Sequence, residues 1–272
     1  MFVFLGLILG SCISTSSRQS TAEQIASNAG MESVLFQSGL FSVFGYQRLI
    51  DPNLPVQVYM EGDGLAFITA SRPSLNPTPV DPVALRLAAL DQSPNVLYLA
   101  RPCQYVDLKT EPNCTRKYWT SHRFSEEIVE SVSRAVQTVQ SKHLNGFVNL
   151  VGYSGGGAVA VLVAARNNHV LSLRTLSGYL DHVNLNREKN VSQLHGSLDP
   201  LSVARKIQSI PQVHYAGSKD TVIPSWVAKS FLSHVENENC SSFNLVHVSH
   251  SKGWDKFWRE NHLTIPKCKE TR

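Results

Sequence analysis

The sequence has no cluster of basic residues. Its 25 Lys and Arg are scattered among 21 Asp and Glu for a net charge of +4, which leaves no electrostatic footprint for nucleic acid. Beyond the first ten residues no apolar run is long enough to cross a bilayer as a helix. No low-complexity linker divides the chain after residue 30, so its 42% hydrophobic content can fill the core of one domain. Cys103, Cys114, Cys240 and Cys268 show neither the spacing of a zinc site nor a redox Cys-x-x-Cys, and no metal or organic cofactor is implied.

Met1 to Gly10 is almost wholly apolar, too short to span a bilayer but suited to a signal-peptide core. The following Leu9-Gly10-Ser11-Cys12 resembles the lipobox of bacterial lipoproteins. That resemblance implies a signal peptide over residues 1–11, cleavage before Cys12, lipid on the Cys12 thiol and a tether to the membrane at the outer membrane or cell surface. A plain secretory leader would export the chain equally. Ile13 to Ala29 is rich in Ser, Thr, Gln and Asn without a hydrophobic period, so residues 12–30 read as a flexible tether ahead of a domain over 31–272. Export into an oxidising compartment leaves an even four cysteines. Cys103 and Cys114 share one loop and Cys240 and Cys268 bracket the last part of the chain, which predicts disulfides 103–114 and 240–268.

The chain is organised around Asn149-Leu150-Val151-Gly152-Tyr153-Ser154-Gly155-Gly156-Gly157-Ala158. There a β-type run empties into a glycine-flanked serine and then an alanine-rich helical run. A serine on a sharp strand-to-helix turn takes a strained backbone, and the residues two before and two after it crowd each other, which requires Gly152 and Gly156. Further strands are expected at Val56–Met60, Asn95–Ala100, Val170–Leu176, Gln212–Ala216 and Phe243–Val248, with a hairpin over Ser33–Leu49. Helical spacing predicts a helix from Asp81-Pro82 to Asp91, with Asp81 as its cap, and another from Glu126 to about Lys142 behind Ser125. Strands alternating with helices indicate a mostly parallel sheet covered on both faces. The segment from Ser177 to Ser209 has room for a short helix or two but no large lid.

In such a sheet, chemistry gathers beyond the carboxyl ends of the strands. Asp220 follows the penultimate strand and His250 the last, so Ser154, Asp220 and His250 fall on one edge in the order nucleophile, acid, base. Asp181 and Asp199 are rival acids, and His247, inside the expected last strand, is a rival base. Gly152-Tyr153-Ser154-Gly155-Gly156, Gly217-Ser218-Lys219-Asp220-Thr221-Val222-Ile223-Pro224 and His250 before Trp254 together resemble the α/β-hydrolase superfamily, over roughly Val56 to Asn261. The resemblance implies an α/β-hydrolase fold with a small lid or none. It also implies an oxyanion hole from the backbone N–H groups of Gly155 and, in the loop Glu61-Gly62-Asp63-Gly64, of Asp63. Enzymes of this kind often carry a histidine where Glu61 stands, and an acidic Asp63 must turn away or be paired, with Arg101 a candidate partner. The function implied is a serine hydrolase of carboxylesterase type, cleaving a small-molecule ester, thioester or amide through an acyl-enzyme. A tethered, non-catalytic binding protein and an acyltransferase are the alternatives.

Overall fold

Continuous apolar runs in the central strands send side chains to both faces of the sheet, and the need to cover both lays out the whole molecule. In the computed structural model, which describes residues 14–269, strands β1 (Glu32–Ser38) and β2 (Phe41–Leu49) form an antiparallel hairpin. β3 (Val56–Met60) follows, then a small hairpin of β4 (Phe67–Thr69) and β5 (Arg72–Pro73). β6 (Asn95–Leu99), β7 (Val148–Tyr153), β8 (Val170–Leu176), β9 (Gln212–Gly217) and β10 (Ser241–Val246) complete the main sheet. Its order is β1-β2-β6-β3-β7-β8-β9-β10, with every pairing from β6 to β10 parallel.

The helices divide between the two faces. α3 (Glu126–Gln140), α4 (Gly155–Ala164) and α6 (Trp226–Leu232) cover Val56, Val58, Met60, Leu97 and Leu150 in one apolar core. On the other face α1 (Thr15–Asn28), α2 (Val83–Leu90) and α7 (Trp254–Asn261) cover Tyr59, Val96, Tyr98 and Val151. α5 (His182–Glu188) and two 3-10 turns, Pro200–Val203 and Arg205–Ile207, occupy the segment between β8 and β9, which holds no large lid. Strand order reverses around β3. The loops after β3 and β7 therefore meet at a crevice, as expected for an open α/β sheet.

Three expectations need correction. Residues 15–28 are a docked helix rather than a flexible tether: Ala22 and Ala26 are fully buried in the core shared with α2, and Ser14 caps the first turn. Its polar composition hid a stripe made of alanine, too small to register as a hydrophobic period. Asp81 does not cap α2, because its carboxylate is taken by Arg86; Glu61 Oε1 accepts from the Ala84 N–H instead. Ser125 is the N-cap of α3 as expected, with extended backbone, although its hydroxyl makes no capping bond. The last strand ends at Val246, so His247 stands outside it and is exposed. The expected signal peptide over 1–11 and the Cys12 lipidation site lie outside the described residues. Both disulfides, Cys103–Cys114 and Cys240–Cys268, are formed, which fits an oxidising compartment.

Candidate active site

β7 runs buried to Tyr153 and α4 begins at Gly155, leaving Ser154 alone to make the turn, at φ 51° and ψ −122°. Such a conformation is costly for a residue with a Cβ and is held by its surroundings. Ser154 donates its N–H to the Leu176 carbonyl at 2.9 Å and accepts from the Tyr179 N–H at 3.0 Å. The glycines are required by crowding: a Cβ on Gly152 would strike the Gly156 carbonyl, and one on Gly156 would strike the carbonyls of Met60 and Glu61.

Ser154 Oγ lies 3.1 Å from His250 Nε2, and His250 Nδ1 lies 2.8 Å from Asp220 Oδ2. The three residues singled out in the sequence are thus brought together from the ends of β7, β9 and the last loop. The Asp220 side chain is wholly buried. Burial pushes its pKa up, but the hydrogen bond and charge of His250, the Ser177 hydroxyl and the Ile223 N–H outweigh it and hold the carboxyl below its ordinary value. Its Oδ1 accepts from Val222 and Ile223 N–H, and Oδ2 also accepts from Ser177 Oγ at 2.6 Å. The rivals are occupied elsewhere. Asp181 caps α5, Asp199 caps a 3-10 turn, and His247 Nδ1 sits 3.2 Å from the Ser218 hydroxyl.

Three residues support the triad in roles that the sequence did not assign. Tyr153 donates its hydroxyl to the His250 carbonyl at 3.0 Å and Trp254 Nε1 donates to the same oxygen at 2.8 Å, fixing the His250 backbone from two sides. Ser177, at φ 47°, supplies the extra donor to Asp220. Tyr153 was visible in principle, as the residue before the elbow serine; nothing in the spacing of Ser177 marks it.

The loop after β3 carries an unusual charge arrangement. Asp63 does not turn away: a Cβ on Gly155 would collide with its carboxylate, so Asp63 lies directly over the start of α4. It is paired with Arg101 as expected, at 3.2 Å, and also with Arg123 at 2.6 Å, which sequence did not reveal because Arg123 stands in an irregular loop before α3. Burial lowers the Arg101 guanidinium to about 10, against the opposing pull of Asp63. The trio carries one formal negative and two positive charges. Below it Glu61 is fully buried; burial raises it to about 7, opposed by hydrogen bonds from the Gly62 and Ala84 N–H groups. Among the described residues, neither the Asp63 nor the Gly155 N–H has a protein acceptor. The opening above Ser154, a cavity of about 390 Å³, is bounded by the Glu61–Phe67 loop, Pro79, Val80, Arg123, Tyr153, Val222 and His250.

An eight-stranded, mostly parallel sheet with a strained serine at its central strand-to-helix turn defines the α/β-hydrolase class. The chain belongs to the serine hydrolase family described as "Serine hydrolase (FSH1)", whose model matches residues 84–251. Its fold is similar to an alpha-beta serine hydrolase homologue from Coxiella burnetii, with 16% identity, a TM-score of 0.56, and coverage of 84% of this chain and 94% of that one. It is similar to Est1E from Butyrivibrio proteoclasticus at 11% identity and TM-score 0.58, with the same two coverages, 84% and 94%. An acylaminoacyl peptidase from Pyrococcus horikoshii matches at 11% identity and TM-score 0.62 over 89% of this chain but 43% of its own. No curated protein matches this chain in sequence.

Proposed function

We propose that this serine hydrolase cleaves a carboxylic ester, or a thioester or amide of similar shape, through an acyl-enzyme. The observation that carries the reading is the unbroken chain from Ser154 Oγ through His250 to a buried Asp220. His250 takes the proton as Ser154 attacks the carbonyl carbon and returns it to the leaving oxygen; water then enters by the same route. Asp220 orients His250 and stabilises its cationic form. The amides of Asp63 and Gly155 hold the oxyanion, and two guanidiniums around one carboxylate keep the local field positive despite Asp63. Carboxylesterase specificity is supported by the open site without a large lid, which lets an acyl ester reach Ser154 directly. We further read the chain as exported and lipid-anchored at Cys12.

Stopped-flow hydrolysis of p-nitrophenyl acetate tests this. Wild type is expected to give a burst of nitrophenol followed by slower turnover. Ser154→Ala should lose the burst and on the order of 10³-fold or more in kcat. A folded Ser154→Ala protein with unchanged kcat would exclude the assignment.

A further inference from the structure

The rim of the Ser154 cavity carries exposed apolar side chains. Phe67 and Val80, both lining it, are 36% and 42% exposed, and next to them Ile68 is 48% and Leu75 73% exposed. The segments carrying these residues are knitted into one surface: Ser74 N–H donates to the Ala66 carbonyl and Leu65 N–H to the Pro77 carbonyl. Trp119 Nε1 holds the Ser74 carbonyl from below.

Helix α1 delivers the N-terminal end of the fold to this same rim. Arg18, in its first turn and 6% exposed, donates to the carbonyls of Thr78 and Asn76 and to the Thr15 hydroxyl. Thr15 therefore stands beside the loop that continues into Pro79 and Val80. Cys12 is two residues before the capping Ser14, a reach of at most ~7 Å of extended chain. An acyl chain on Cys12 would enter the bilayer next to the mouth rather than at the far end of a long linker. A lipid on Cys12 would thus bring the bilayer to the rim, which presents exposed apolar side chains at that place.

We propose that the cavity mouth is a membrane-docking face whose occupant is a lipid bilayer, with Phe67, Ile68, Leu75 and Val80 entering its interfacial layer. This rests on reading Cys12 as the anchor and Ser154 as the nucleophile, and it narrows the substrate class to acyl esters resident in the membrane. A second exposed apolar group, Ile50, Leu54 and Leu144, lies at the opposite edge of the molecule, by the amino-terminal ends of β3, β6 and β7 and so at the far end of the strands from Ser154, and serves as the internal control.

The test is hydrogen exchange on the full chain, with and without vesicles of phosphatidylcholine and phosphatidylglycerol. Residues 65–80 are expected to exchange at least fivefold more slowly on vesicles, with 50–54 and 141–146 unchanged. Equal exchange at 65–80, or protection at the opposite edge instead, overturns the proposal whether or not the protein turns over an ester. In parallel, Ile68→Ser/Leu75→Ser is expected to keep p-nitrophenyl acetate turnover and lose at least tenfold on a long-chain nitrophenyl ester dissolved in the vesicles. Equal rates on both substrates contradict docking, whereas an inactive wild type with protected 65–80 would fault the hydrolase reading alone.

Discussion

At the scale of single residues, the site is governed by how few charges it leaves unmatched. Asp220 has four hydrogen-bond partners around it, and Ser177 is the one side chain among them besides His250. Ser177→Ala is expected to lower kcat roughly tenfold with KM little changed, since the lost bond of about 1.5–3 kcal/mol acts on Asp220 and only through it on the serine. A rise in KM with constant kcat would assign Ser177 to substrate binding instead. Glu61 gives a stability signature. Its folded pKa is raised to about 7 from 4.5, so its protonated form is favoured by the fold; the stability it allows is complete below pH 4.5 and is lost as pH rises through 7. Glu61→Gln keeps an acceptor for the Gly62 and Ala84 N–H groups without the buried charge. Denaturant unfolding should show the variant gaining on wild type by on the order of 3 kcal/mol between pH 4.5 and pH 8. A gap that stays constant with pH would mean that folding does not raise the Glu61 pKa.

At the scale of elements, most of the sheet is legible in the sequence because its strands are continuous apolar runs ending in glycine or polar turns. β3 and β8 fall where their patterns put them, and Ser154, Asp220 and His250 could be placed because each follows a strand end. What could not be read depends on tertiary partners. α1 has an alanine stripe that means nothing until α2 is beside it, and the start of α2 is satisfied by Glu61 from another element rather than by its own Asp81. Arg123 was invisible for the same reason, since only the folded loop brings it to Asp63. The docking of α1 makes its own prediction. Arg18→Ala removes a buried donor from the Thr78 and Asn76 carbonyls and is expected to cost about 1–3 kcal/mol in denaturant unfolding. Because the loop it holds supplies Pro79 and Val80 to the cavity wall but does not touch Ser154, KM should rise while kcat stays within about twofold. Unchanged stability would show that α1 is attached only loosely.

At the scale of the whole molecule, apolar cores on both faces of the sheet, two disulfides and a docked N-terminal helix surround the crevice where strand order reverses. The Cys103–Cys114 loop lies ahead of the segment carrying Arg123, and Cys240–Cys268 fastens the tail beyond α7, with Lys269 N–H donating to the Asn239 carbonyl. Both closures restrict the unfolded chain and hold peripheral segments against the sheet. The central claim is that this framework turns Ser154 into an activated nucleophile. Intact-protein mass after treatment with a fluorophosphonate, on wild type and on Ser154→Ala, tests it most directly. The account predicts one phosphonyl adduct on wild type and none on the variant; a folded wild-type protein that takes up no adduct, or a variant that takes up the same one, would contradict it.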